Sequence, residues 1–252
     1  MYLVTTFYNG PSLEKFYNHI LSEKQIKFIS ACIIQSLKYI REKHIIHRDV
    51  TITNIVMDKD DYFNLIDFSF SIEYSQRLFK YLKCNINKIT TPPEILKNSD
   101  YNYNSDYYNL GNIIFFLVFK KYPWDIPNNV DRRKNLTELI ESCYFNQTYS
   151  FNLYDFIEKL IIIDPKKRLG YNSIDELMTH PWFNDFNWIY LEKKKIISPF
   201  SHITIINSNK CNKFDKTYEM VKKYKLYSSK EKHQILLKNF EFSKNVFVNI
   251  KA

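Results

Sequence analysis

The sequence predicts a mainly helical fold, α+β overall, in which very short strands support loops between long helices. Three observations predict it. Apolar residues recur at helical spacing between Ser22 and His44, and a second segment from Asp106 to Phe119 is apolar on nearly every side. Between them lie Ile45-Ile46, Ile55-Val56-Met57 and Phe63-Asn64-Leu65-Ile66, three β-prone fragments separated by polar corners. Strands of this length cannot hold a domain together by themselves. They suit a scaffold that carries its chemistry on loops.

Taken in order, Tyr2 to Phe7 is an apolar, β-branched run, and Asn9-Gly10-Pro11 ends it with turn residues, which predicts a strand entering a loop. Ser12 opens a short helix through Tyr17. Ser22 and Gln25 have the spacing of a capping box, and Ile26, Ile29, Ile33, Leu37 and Ile40 then form one buried stripe. After the short strands, Tyr74 to Pro93 is irregular. Further helices are expected over Asp106–Phe119, Leu136–Cys143, Leu153–Ile163 and Ser173–Thr179, the last with Ser173 and Glu176 as a second capping box. No internal repeat is apparent. Beyond Phe200 the sequence turns Asn-rich and Lys-rich, which predicts an extended tail with one helix near Ser229 to Leu237.

Composition narrows the function classes. Lys and Arg exceed Asp and Glu by nine, yet the excess sits in runs such as Lys193-Lys194-Lys195 and Lys222-Lys223, expected to be solvated. Nothing resembles a nucleic-acid-binding module, so no nucleic-acid partner is expected. The four cysteines, Cys32, Cys84, Cys143 and Cys211, lack metal-ligand spacing, and a reducing compartment is the simpler expectation. The expected location is the cytoplasm, with the nucleus as alternative. No secretory signal is expected at the start, and the apolar stretch Ile113 to Phe119 is too short to span a bilayer. Only three glycines occur, while Tyr and Phe number 20 each, a bias of composition rather than a device of function.

The strongest local signal is His47-Arg48-Asp49-Val50-Thr51-Ile52-Thr53-Asn54, followed thirteen residues beyond Asn54 by Asp67-Phe68-Ser69. A lone Asp in a turn is ordinarily a solvated or capping residue. Asp49, Asn54 and Asp67 on consecutive loops after short strands are different, because converging oxygen ligands suit Mg²⁺ bound together with phosphate.

These two segments resemble the catalytic loop and the Asp-Phe-Gly motif of the eukaryotic protein kinases. Further marks follow in the family's order. Thr91-Pro92-Pro93-Glu94 resembles the Ala-Pro-Glu end of the activation segment, and Asp106 to Gly111 the Asp-x-Trp-x-x-Gly start of the long buried helix. Asp164 to Gly170 contains the arginine, Arg168, expected to pair with Glu94. His180-Pro181-Trp182-Phe183, Asp185 to Trp188, Leu191 to Lys194 and Ser198-Pro199-Phe200 are similar to the AGC-like serine/threonine kinases, the cyclic-nucleotide-dependent and protein kinase C-like enzymes. In that group Phe214 to Tyr218 resembles a tail patch that reaches the nucleotide, and Asn239 to Ser243 partly resembles the terminal hydrophobic motif.

The resemblance implies a kinase-like C-lobe with a remnant N-lobe strand and hinge, a partial kinase domain over residues 1–183, and an AGC-like tail over 184–252. It implies ATP and Mg²⁺ as cofactors and a protein substrate with a Ser/Thr acceptor. Asp49 is expected to orient the substrate hydroxyl, with Asn54 and Asp67 as metal ligands and catalytic partners. Thr6, Tyr8 and Val56, with Asn54 and Asp67, occupy nucleotide-binding positions, and Thr5 the gatekeeper. His47 and Phe68 are expected to pack the two loops together, and Asp106 to accept hydrogen bonds from the backbone at His47 and Arg48.

The departures from the pattern carry weight. The Gly-rich phosphate loop, the strand lysine and its helix glutamate have no counterpart, so weak ATP binding or none is expected of this chain. Thr51 stands where the family has a lysine, with Lys88 as an alternative cation. Ser69 replaces the motif glycine. Leu82 lies near the usual phosphothreonine, leaving Ser75, Thr90 and Thr91 as alternatives. Ser12, Thr53 and Phe116 stand where basophilic relatives place substrate-reading acids. Apolar residues around Val4, Val56 and Phe68 are expected to be exposed, inviting a partner. Three readings remain: a serine/threonine kinase, a pseudokinase or docking module, and a fragment of a complete kinase.

Overall fold

The computed structural model describes residues 6–74, 91–96, 101–123 and 149–201. Residues 8–201 belong to one compact unit, and Thr6 and Phe7 to another. The expected strand Tyr2 to Phe7 lies largely outside the described residues. So do the helices over 136–143 and 229–237, the tail motifs beyond 201, and Leu82, Lys88, Ser75 and Thr90.

A single 3₁₀ turn, Leu13–Phe16, replaces the helix expected after Ser12. Helix α1, Glu23–Glu42, starts at Ser22 with the predicted capping box and buries Ile26, Ile29, Ile33, Leu37 and Ile40. It stops at Lys43, and His44 takes a left-handed φ of 57°. Strands β1 (Ile45–Ile46), β2 (Ile55–Met57), β3 (Phe63–Leu65) and β4 (Ile72–Glu73) make two antiparallel ribbons, β1 with β4 and β2 with β3. The β2–β3 register is Ile55↔Leu65, Val56↔Asn64 and Met57↔Phe63.

Helix α2, Pro93–Leu96, opens on a proline, whose missing N–H is no loss at a first helical position. Helix α3, Tyr103–Phe119, begins three residues before the expected Asp106. Asn102 caps it by accepting from the Asn104 N–H at 2.8 Å, so the polar stretch ahead of Asp106 is helical too. From Asn104 to Leu117 every residue of α3 is buried, as expected of a helix apolar on all sides. Helix α4, Phe151–Leu160, is capped by Ser150 and ends at Leu160, three residues earlier than expected.

Helix α5 is only Asp175–Met178. The expected Ser173–Glu176 box is absent because Glu176 is engaged elsewhere: it accepts from the Gly170 N–H at 2.8 Å and from the Asn172 amide at 2.8 Å. Ser173 instead accepts from the Asp175 N–H. A 3₁₀ turn, Pro181–Phe183, and helix α6, Trp188–Glu192, complete the described elements. Helix α3 packs on α1 and α4, and α1 also supports β3 and α6. One helical core therefore carries the two ribbons.

Two glycines are fixed by close approach. A Cβ on Gly10 would lie 2.2 Å from the Met57 carbonyl oxygen. At Gly170, φ is +88°, and a Cβ would meet Leu177 at 2.5 Å and the Tyr107 ring at 2.7 Å.

Candidate active site

The loop between β1 and β2 is anchored from beneath. The buried carboxylate of Asp106, on α3, accepts the His47 N–H at 2.8 Å and the Arg48 N–H at 2.9 Å, as the sequence led us to expect. Burial pushes the Asp106 carboxyl up to about 7, against the pull of these two donors. The anchor holds Arg48 at φ 68°, a conformation costly for a residue with a side chain. The Arg48 guanidinium donates to the Phe70 carbonyl and lies over the Tyr101 ring at 5.4 Å.

Above the anchor, the Asn54 amide nitrogen donates to Asp49 twice, to the carbonyl at 3.0 Å and to the carboxylate at 2.7 Å. With its NH₂ committed to Asp49, Asn54 has its Oδ1 left to face a cation. The Ile66 N–H donates to the Asn54 carbonyl at 2.8 Å, which ties the strand leading to Asp67 directly to the loop carrying Asp49. Asp67 is exposed, with φ 64°, and one of its oxygens accepts from the Ser69 N–H at 3.1 Å. The Asp49 carboxyl is held above its ordinary range by burial; the Asn54 bond opposes this and the Asp67 charge adds to it. The structure thus brings Asp49, Asn54 and Asp67 together at the ends of one ribbon.

The donor set fits Mg²⁺. Among the described residues no three His, Cys, Asp or Glu side chains form a cage. One amide oxygen and one exposed carboxylate suit an ion that takes its other ligands from phosphate and water. Bound there, Mg²⁺ would neutralise phosphate charge.

His47 links the two loops. Its Nε2 donates to the Ile66 carbonyl at 3.1 Å, its Nδ1 accepts from the Asp49 N–H at 3.3 Å, and its ring meets Phe68 edge-on at 4.8 Å. These contacts define a neutral imidazole, and burial lowers its pKa to about 4. A depressed histidine contributes stability above its unfolded pKa that is lost as pH falls through the folded value. The buried Asp106 has the opposite sign, so a variant must isolate the effect. Between pH 7.5 and 4, the stability advantage of the wild type over His47→Gln is expected to shrink by about 3 kcal/mol, measured by urea unfolding. A constant difference would contradict the neutral assignment.

The nucleotide-side positions differ among themselves. Thr6 is exposed and belongs to the first unit, whereas Tyr8 is half-buried in the second. Val56, expected to be exposed, is only 9% exposed. Residues 10–12 cover it: Ser12 bridges to Val56, and the Met57 N–H donates to the Pro11 carbonyl at 3.0 Å. Phe68 is half-buried against His47. Thr51 Oγ1 lies 2.9 Å from Thr53 Oγ1, so two hydroxyls pair where the family resemblance leads one to expect a lysine. Phe116 is buried, its ring 5.2 Å from Tyr17 and 4.6 Å from Tyr122, an aromatic contact with no sequence signal.

Farther down, Arg168 and Glu94 form the expected pair as a two-pronged contact, 2.8 and 2.9 Å, with both side chains buried. Arg168 also donates to the carbonyls of Ile162, Asn104 and Ile163, and Ser105 donates to Glu94. Sequence reasoning missed the pairing of Asp58 with Lys194, because Lys194 sits in a basic run expected to be solvated.

Comparison with known proteins agrees with this arrangement. The protein kinase domain matches residues 1–183. The chain is 29% identical over 212 residues to developmentally-regulated protein kinase 1 of Dictyostelium discoideum, covering 84% of this chain and 29% of that protein. It is 27% identical over 179 residues to cGMP-dependent protein kinase 2 of Rattus norvegicus, covering 70% of this chain and 23% of the relative. With cAMP-dependent protein kinase catalytic subunit 2 of Drosophila melanogaster it shares 26% identity over 246 residues, 95% of this chain and 67% of that protein. A probable serine/threonine-protein kinase of Dictyostelium discoideum is 29% identical over 236 residues, covering 78% of this chain and 51% of that protein. The chain therefore spans about half or less of several relatives it matches. With the anchored loop, the Asp49–Asn54 contact and the buried Glu94–Arg168 pair in place, the chain belongs to the protein kinase family.

Proposed function

We propose that the chain acts as a serine/threonine kinase of the AGC-like group, transferring the ATP γ-phosphate to a Ser/Thr hydroxyl of a protein substrate with Mg²⁺. The observation that carries this reading is the Asn54 amide held on the Asp49 carboxylate at 2.7 Å. It points Asp49 by a neutral donor, leaving its negative charge for a substrate hydroxyl, and frees the Asn54 oxygen for Mg²⁺. Asp67 supplies the second metal ligand, and Tyr8 and Val56 stand on the nucleotide side in this reading. Residues 1–183 are the catalytic portion in this reading, and 184–252 the tail. A cytoplasmic or nuclear location is part of this proposal.

A second reading, a pseudokinase or docking module, is favoured by Thr51. Its hydroxyl pairs with Thr53 and brings no positive charge to a transferring phosphate. Calorimetric titration with ATP separates the two. The kinase reading expects saturable, Mg²⁺-dependent binding that weakens at least about tenfold in Asp67→Ala, the loss of one charged ligand. Absence of saturable binding in the wild-type chain favours the docking module.

A further inference from the structure

The β2–β3 ribbon has three rungs, too few to hold its own register. Its open end carries Asn54 on one side and Ile66–Asp67 on the other, joined by the Ile66 N–H to the Asn54 carbonyl. Its closed end is built around Asp58, which is 6% exposed. The Asp58 carboxylate accepts from the Asp60 and Tyr62 N–H groups at 2.9 Å each, from the Asn64 amide at 3.1 Å and from Lys194 Nζ at 2.5 Å. Among the described residues, Lys194 is the cation that pairs with it. The same ammonium reaches Asp60 at 3.3 Å and lies over the Tyr62 ring at 5.4 Å.

Lys194 is placed there by the way α6 ends. Its φ is 50°, a left-handed turn made by a residue other than glycine, and the Lys195 N–H closes it on the Tyr190 carbonyl at 2.7 Å. The reversed chain then lies along the same turn of the ribbon. Tyr62 donates its hydroxyl to the Ile196 carbonyl at 2.6 Å, and Ser198 donates to the Asp61 carbonyl at 3.0 Å. Phe200 ends the contact with its ring 5.2 Å from Phe63 and 5.4 Å from Phe16.

We infer that Lys194 is a positioning residue: by neutralising Asp58 at the closed end of the ribbon, it fixes the register in which the open end presents Asn54 and Asp67. This rests on the proposed reading of those two residues as Mg²⁺ ligands. Without Lys194 a buried carboxylate lacks its countercharge, and the turn must open to water or take up a proton. A shift of that turn passes along three rungs to the Ile66–Asn54 bond. The rest of the core does not depend on it.

Hydrogen exchange on the whole 252-residue chain tests the clasp whether or not the chain binds nucleotide. In Lys194→Met, amides from Asn54 to Ile66 are expected to exchange about tenfold faster, with α1 and α3 unchanged and Lys194→Arg restoring protection. A core variant, Phe156→Leu, serves as the control that loosens the fold without touching the clasp. Unchanged exchange in Lys194→Met overturns the inference. So does a uniform rise resembling Phe156→Leu, including outright failure to fold, or an arginine variant that behaves like methionine. A separate arm compares ATP affinity with and without Mg²⁺. Selective loss of the Mg²⁺-dependent part in Lys194→Met supports the link to Asn54 and Asp67, and equal loss in both counts against it. If the wild type binds no ATP, the proposed function fails, while the exchange data still judge the clasp.

Discussion

Replacing Arg168 by methionine is expected to lower the unfolding free energy by about 3–5 kcal/mol, enough to unfold much of the chain near physiological temperature. The size follows from what is left behind. Glu94 is buried and faces both prongs of the guanidinium, with the Ser105 hydroxyl as a further donor. Three backbone carbonyls, of Ile162, Ile163 and Asn104, also lose their donor, and the Tyr108 ring loses the cation 4.8 Å above it. Adding Glu94→Gln to Arg168→Met should recover part of the loss, since the stranded charge is then removed. Denaturant unfolding of the wild type and the two variants measures this. A loss below about 1 kcal/mol in Arg168→Met would mean that the pair behaves like a surface contact.

Phosphate transfer to Ser/Thr peptides is expected to fall about 10²- to 10⁴-fold in Asp49→Asn, the range typical for removing a positioned general base. The substitution keeps the shape, and its amide oxygen can still accept from Asn54. What disappears is the carboxylate charge, on a group whose pKa burial, with the Asp67 charge, holds above the ordinary range. Since Asp49 is not a metal ligand in this reading, Mg²⁺-dependent ATP binding should be nearly unchanged, which separates this variant from Asp67→Ala. Transfer that survives Asp49→Asn at full rate assigns the activity to another group or another protein. Binding without transfer in the wild type supports the docking module instead.

Local chemistry made much of this legible from the chain alone. Ser22 with Gln25 announces α1, and the stripe from Ile26 to Ile40 gives its buried side, because both signals are contained in the helix itself. The grouping of Asp49 with Asn54 was legible for the same reason: they share one loop. The start of α3 was not, since Tyr103 to Ser105 lacks a strong helical pattern and is set by the Asn102 cap. Glu176 misled as a capping residue because its partner, the Gly170 N–H, is presented by a turn no local pattern describes. Val56 is buried by residues 10–12, and Lys194 pairs with a residue far away in sequence. Periodicity reports which face of an element is apolar; what arrives to cover that face depends on the whole fold.

The close approaches at Gly10 and Gly170 give the unusual composition a physical edge. In a chain this poor in glycine, positions that tolerate a side chain already carry one. At Gly10 the obstacle is a main-chain carbonyl, which no rotamer change can move aside, so alanine there would have to lift the segment of residues 10–12 off β2, the strand that begins beside Asn54. A single added methyl group at Gly10 is thereby coupled, through bare backbone, to the placement of Asn54.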